Sequence, residues 1–367
     1  MKIAFLIHDL MGGGAEKVLV NMVNNLNPQK YDITVATIFD EGVHKSSLAP
    51  HIHYKSFLKK SFNGNKYFFR ILTPEFWYKR IFGNEDYDIV VSYLEGTCAR
   101  IAAGCKNSKK VAWIHSRQSE KKYSECFKNK AEADKAYSSF DRVVFVAQSL
   151  KEYFAQLCPA FENADVLYNV NETDKMISLS QEEADRKELF EDGVPTIAFL
   201  GKITENKGVA RLAKIHIKLK EKNISHRFLI MGTGEQEEEI RKLLEYGDAA
   251  EDFVFLGFQK NPYKYLARSD MFVCASYSEG FSTATTETLV LGVPVVVTDC
   301  SGMKEMLGDN EYGIITENND DALYEGIEKM LTDKELRLRY KEQAEIRGKD
   351  FSMEKRIEKI EEYFDTL

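Results

Sequence analysis

The chain runs through one long pattern twice. A strand-length apolar run gives way to a loop, a helix follows, and the next apolar run begins. In the first half such runs lie at Lys2–His8, Asp32–Ile38, Asp88–Tyr93, Lys110–His115, Arg142–Val146 and near Asp165–Tyr168. After an acidic, polar stretch at Ser178–Gly193 they restart at Thr196–Gly201, Arg227–Met231, Phe253–Leu256, Asp270–Ala275 and Val293–Thr298. Helical periodicity fills the gaps, most clearly at Ala15–Leu26. Alternation of this kind, with no short repeat and no low-complexity region, predicts a doubly wound parallel sheet in each half.

At 367 residues the chain suits two domains better than one core. The expected division is 1–175, 176–350 and a last helix, 351–367, opened by Phe351-Ser352-Met353 with Ser352 as its cap. Two Rossmann-like domains of this class bind ligands at the carboxyl ends of their strands, here in an inter-domain cleft. Hydrophobic residues at 44% and charged residues at 29% are ordinary for a soluble protein. No apolar run approaches the roughly 20 residues of a membrane span, and no secretion signal is expected at the start. The six cysteines form no C-x-x-C pair, so reduced thiols in a cytoplasmic protein are expected. Residues 1–175 carry 24 Lys and Arg against 20 Asp and Glu, whereas 176–367 carry 26 against 38. The basic excess is gathered in one aromatic-rich segment, which argues against a nucleic-acid partner.

The most informative local pattern is Ser278-Glu279-Gly280-Phe281-Ser282-Thr283-Ala284-Thr285-Thr286-Glu287, between an apolar run and Gly292-Val293-Pro294-Val295-Val296. It predicts strand, loop, helix, tight turn and strand. Gly280 lets backbone approach a ligand. Ser282 or Thr283 caps the helix, leaving Glu279 in the loop and Glu287 a turn inside. The helix start suits a phosphate, and the carboxylates flanking it suit sugar hydroxyls. A nucleotide diphosphate sugar combines both.

Glu-x7-Glu, with Gly-Phe after the first Glu and Gly-x-Pro-Val-Val after the second, resembles the donor-site motif of retaining GT-B glycosyltransferases of family 4, the glycosyltransferase group 1 type. The resemblance extends over nearly the whole chain. It implies a GT-B fold whose last helix crosses back to an N-terminal acceptor-binding domain, with the nucleotide sugar on the C-terminal domain. It also implies Glu287 on the ribose and Glu279 on the hexose, with Gly280, Phe281, Ser282 and Thr283 around the diphosphate.

Other motifs follow this frame. Gly12-Gly13-Gly14-Ala15-Glu16 opens a helix after the first strand and is not a dinucleotide fingerprint. Gly13 and Gly14 allow close approach to a diphosphate or an acceptor. In Gly201-Lys202-Ile203-Thr204-Glu205-Asn206-Lys207-Gly208, two cations frame a loop fit to clamp a diphosphate and steady the leaving group. The resembled family has Arg where Lys202 stands, so charge is kept and bidentate geometry lost. His115, ending its strand, is by the same resemblance a sugar contact that supports the transition state. Gly257-Phe258-Gln259 is expected near the base. Gly232-Thr233-Gly234-Glu235 reads as shaping the nucleotide end of the cleft and equally as an ordinary turn. Glu305 reads as a solvated helix residue and His8 as structural. Asp86-Tyr87-Asp88 precedes a strand and reads as turn chemistry. No His, Cys and Asp cluster has metal-ligand spacing, so no metal or other cofactor is expected.

The segment 54–82 holds seven basic residues, one acid and ten aromatics. Such a mixture fits an anionic membrane surface as well as it fits a core-facing stripe. The expected activity is therefore a retaining, metal-independent hexosyltransferase. It would move a hexose or N-acetylhexosamine from a UDP-sugar to a lipid-linked glycan in bacterial surface polysaccharide synthesis, at the inner face of the membrane. The alternatives are a sugar-nucleotide epimerase of the same fold and a catalytically silent subunit supporting a partner.

Overall fold

Residues 1–158 and 163–367 are described in this computed structural model. They form two compact units: Met1–Asn171 with Met353–Leu367, and Glu172–Ser352.

The first unit carries strands β1 (Lys2–Ile7), β2 (Asp32–Phe39), β3 (His53–Leu58), β4 (Ile89–Ser92), β5 (Lys109–Ile114), β6 (Arg142–Phe145) and β7 (Ala164–Val166). All are parallel, in the order β3-β2-β1-β4-β5-β6-β7. Ile3 pairs with Ile33 on one side and Ile89 on the other, so β1 is central and Ile3 to Ile7 are fully buried. The chain leaves β1 in one direction and returns to β4 in the other, which makes the β1/β4 junction the topological switch point.

The second unit repeats the plan with β8 (Thr196–Leu200), β9 (Arg227–Met231), β10 (Phe253–Gly257), β11 (Met271–Cys274), β12 (Val295–Thr298) and β13 (Ile314–Thr316), in the order β10-β9-β8-β11-β12-β13. Its switch point is β8/β11. Val209, Leu212, Ala213 and Leu219 recur at helical spacing on the helix Val209–Glu221 and cover Ile197, Phe199 and Phe228 of the sheet.

Two strands were not anticipated. β3 is an edge strand at the start of the basic aromatic segment with no fully buried residue, and β13 has only three residues. The division between units falls ahead of position 175, because the helix Thr173–Ser180 packs into the second unit. There Asn261 Nδ2 donates to Leu179 O at 2.9 Å and Arg268 Nη1 to Ser180 O at 3.1 Å.

The last helix, Met353–Asp365, belongs to the first unit. Phe364 packs edge-on against Phe5 and Tyr31, Glu361 accepts the Asn27 N–H at 2.8 Å, and Lys30 pairs with Asp365. The basic aromatic segment splits two ways. Phe69, Trp77 and Phe82 are buried, whereas Phe62, Tyr67, Phe68, Ile71, Leu72 and Phe76 are exposed. Among the described residues no helix is long and apolar enough to cross a membrane.

Candidate active site

In the second unit the site grows from two loops leaving the switch point. After β8 a single 3-10 turn, Glu205–Lys207, ends at Gly208, whose φ of +69° starts the helix Val209–Glu221. A Cβ on Gly208 would meet the Ala275 carbonyl oxygen at 2.2 Å, so this glycine brings the turn against the end of β11. After β11 the chain makes an irregular turn over Ala275–Phe281 and enters the helix Thr283–Val290. Ser282 caps that helix, its Oγ accepting the Thr285 N–H at 3.2 Å. The amides of Thr283 and Ala284 have no intrahelical acceptor.

These loops bring Lys207 and Glu279 together, Nζ to Oε1 at 2.6 Å. The Glu279 side chain is 11% exposed and that of Lys207 32%. The same Oε1 accepts the Ser276 hydroxyl at 2.5 Å. Burial pushes the Lys207 ammonium toward losing its proton, but the Glu279 carboxylate outweighs it and holds Lys207 above the usual lysine range. The result is an ion pair with charge-assisted geometry at the carboxyl end of β11. Buried beside it, the Cys274 thiol is pushed up, first by burial and then by Glu279, and burial pushes Cys300 up to about 12. Both thiols therefore stay protonated at neutral pH.

Glu287 lies one turn into the helix and is only 2% exposed, so in this structure it faces protein. Its Oε1 accepts the Tyr263 hydroxyl at 3.3 Å. Gly280 and Phe281 are packed by Gly302, where a Cβ would come within 2.8 Å of the Gly280 carbonyl oxygen. Thr283 is half-buried at the helix start. Lys202 stands apart: it is exposed and makes no hydrogen bond or ion pair among the described residues. Gly232 and Gly234 clasp its loop, since Cβ atoms there would meet Gly201 O at 1.8 Å and Ile203 O at 2.1 Å. Gly257 ends β10 at φ +67° and Phe258 follows it, 66% exposed.

In the first unit, Gly13 precedes the helix Gly14–Asn25, and a Cβ on it would meet the Glu16 carboxylate at 2.0 Å. That carboxylate therefore folds back over the helix start, a favourable place for negative charge. His115 follows β5. Its N–H donates to Glu95 Oε2 at 3.2 Å, and its ring lies 4.6 Å from that of Tyr93. Ser116 and Gln118 also donate to Glu95. The His115 residue is half-buried overall, yet Nε2 is closed off from solvent without a partner among the described residues. Burial alone lowers its pKa to about 3, so the ring is neutral. Asp88 serves the sheet, accepting the Lys2 N–H at 2.6 Å.

Ser276, Tyr263 and Glu95 were not singled out from sequence. Ser276 carried a signal, three residues before Glu279 in the same turn. Tyr263 and Glu95 reach their partners only through the fold.

The family model described as Glycosyl transferases group 1 matches residues 180–347, and that described as Glycosyltransferase Family 4 matches residues 12–175. The sequence is 26% identical, over 95% of both chains, to the N-acetylgalactosamine-N,N'-diacetylbacillosaminyl-diphospho-undecaprenol 4-alpha-N-acetylgalactosaminyltransferase of Campylobacter jejuni. An uncharacterized glycosyltransferase of Methanocaldococcus jannaschii is 29% identical over 68% of this chain and 70% of its own. Among solved structures, Anabaena HepE in complex with UDP and glucose aligns with a TM-score of 0.79 over 100% of both chains at 18% identity. Sucrose-phosphate synthase from Thermosynechococcus elongatus aligns at 0.81, over 100% of this chain and 99% of its own, at 15% identity. With family matches running through both units and this shared fold beneath them, the chain belongs to the group 1 glycosyl transferases and is a glycosyltransferase of GT-B fold.

Proposed function

We propose that this glycosyltransferase moves a hexose or N-acetylhexosamine from a UDP-sugar to a lipid-linked glycan acceptor in surface polysaccharide synthesis, with retention at the anomeric carbon and without a metal. The observation that carries the reading is the Lys207–Glu279 pair at 2.6 Å beside the capped start of the helix Thr283–Val290. Together these offer a cation and open amides for a diphosphate and a fixed carboxylate for sugar hydroxyls. Lys202, free and exposed, closes on the same diphosphate from the β8 loop. Glu279 takes the hexose hydroxyls. Gly257 and Phe258 receive the base. Glu287 is assigned to the ribose, a contact that requires its enclosed side chain to turn outward.

In this reading the acceptor hydroxyl attacks the anomeric carbon from the face that UDP leaves. The bond from that carbon to the β-phosphate oxygen breaks, and the departing phosphate takes the hydroxyl proton. His115 contacts the sugar as a neutral ring, and the first unit takes the acceptor near Gly13 and Gly14. The Campylobacter relatives support the acceptor class, because their names specify undecaprenol diphosphate-linked glycans and N-acetylgalactosaminyl transfer. Exposed Phe62, Phe68, Ile71 and Phe76, with Lys59, Lys60, Lys79 and Arg80 near them in sequence, suit an anionic membrane at which such an acceptor resides.

The test mixes the protein with pooled UDP-sugars, a bacterial lipid extract and EDTA and follows products by mass spectrometry. Release of UDP with a hexose or N-acetylhexosamine mass added to a lipid is the expected result. A changed free sugar nucleotide without transfer moves the assignment to an epimerase. Inactivity, with unaffected pathway flux in cells carrying Glu287→Ala, moves it to a silent subunit.

A further inference from the structure

The turn that carries Glu279 has no sheet partner, yet four consecutive carbonyls in it are each held by a side chain. Ala275 O accepts from Arg211 Nη1 at 3.1 Å. Ser276 O accepts from Thr298 Oγ1 at 2.6 Å and Asn318 Nδ2 at 3.3 Å. Tyr277 O accepts from Asn318 Nδ2 at 3.0 Å, and Ser278 O from Asn206 Nδ2 at 2.9 Å. Arg211 organises this set. It is 2% exposed, on the helix Val209–Glu221, one turn after Lys207. Its Nε donates to Asp320 Oδ1 at 2.7 Å, and its Nη1 also donates to Asn318 Oδ1 at 2.8 Å. The Asn318 amide, so oriented, turns its NH2 toward the Ser276 and Tyr277 carbonyls. The guanidinium carbon lies 4.4 Å from the centroid of the Tyr277 ring. That face gives the buried Nη2, which has no hydrogen-bond acceptor among the described residues, an electrostatic partner.

We propose that Arg211 is a positioning residue for transfer. Through Ala275 directly and through Asn318 indirectly, it sets the turn so that Glu279 meets the donor already placed. The inference rests on the reading of Glu279 as the donor-sugar contact. A planar fork is needed, because one group must reach Asp320, Asn318 and Ala275 at fixed angles; lysine supplies the charge without those angles.

The test compares Arg211→Lys and the milder Asn318→Ala with the unaltered full chain, each also combined with Glu279→Gln. Amide hydrogen exchange across 275–281 is expected to rise about tenfold with the rest of the second unit unchanged, and kcat to fall about tenfold with acceptor KM constant. In the Glu279→Gln background the fall in kcat is expected to vanish, since both changes act through one carboxylate. Unchanged loop exchange overturns the proposal, as does the same fall in both backgrounds. If Arg211→Lys does not fold, Asn318→Ala carries the same expectations at smaller size. An active wild type with an equally active Glu279→Gln, while loop exchange still responds to Arg211→Lys, overturns the donor reading and the positioning role with it, but leaves the loop clamp standing.

Discussion

The two units place their most unusual side chains in loops at the carboxyl ends of their strands and solve opposite electrostatic problems. In the second, Lys207 and Glu279 are both partly withdrawn from water and each answers the other's charge at 2.6 Å. In the first, the His115 ring nitrogen Nε2 is withdrawn without a hydrogen-bond partner among the described residues, Glu95 being engaged by the backbone N–H instead. Burial keeps the ring neutral with a pKa of about 3. A doubly wound sheet thus supplies carboxyl-end loops without deciding their chemistry. Charge is retained where a second loop brings a counter-charge onto the ionisable atom itself. It is discarded where the ring packs on an aromatic neighbour while the nearby carboxylate bonds the backbone, as Tyr93 and Glu95 do at His115.

The sharpest way to break this contrast is to remove one half of the ion pair. Glu279→Gln is expected to lower kcat by about 1,000-fold, because it removes the fixed carboxylate and leaves an unpaired ammonium. Lys207→Met is expected to cost about 100-fold, measured at saturating acceptor, with donor KM raised. His115→Gln is expected to cost about tenfold in kcat. It also tests linkage. The unfolded chain binds a proton on His115 near its ordinary 6.5 that the folded chain refuses until about 3. Stability should therefore fall as pH drops through that window, and His115→Gln should flatten the fall in acid-melting curves. The Lys207 shift has the opposite sign: its contribution is full at neutral pH and is lost only as alkali passes its raised value. Tyr263→Phe is the smallest change, expected to cost about 1 kcal/mol of stability by removing one hydrogen bond to Glu287. A larger loss of donor affinity would mean that Tyr263 also aims that carboxylate.

Much of this arrangement was legible in the chain. Long apolar runs between helical stretches marked the central strands, since their burial on both faces leaves a continuous signal. β3 escaped because an edge strand that fully buries no residue lacks the continuous apolar signal of the central strands, and β13 is a short edge strand with only one buried residue. The Glu279 loop, the capped helix after it and the lysine loop were visible because glycine, a cap and a carboxylate keep fixed local spacing. What local spacing cannot reveal is which distant group completes a site. Arg211 reads as one polar residue on an apolar helix face until folding brings Asn318 and Asp320 to it. Glu287 reads as a donor-site residue, and only the fold shows that its side chain is enclosed beside Tyr263. The basic aromatic segment divided because adjacent positions on a short helix, such as Phe68 and Phe69, point to different surroundings.

The first unit is assembled from both ends of the chain, and this bears on its synthesis. A ribosome delivers all seven strands of that unit before it begins the second, but the helix that covers Phe5 and Tyr31 emerges only after the second unit. Until then the earliest-made sheet waits with an apolar face open, while the later-made unit has everything it needs to close. A nascent chain halted just before Met353 would therefore be damaged in the half that was translated first, and chaperone contact or proteolysis would fall there rather than near the point of arrest.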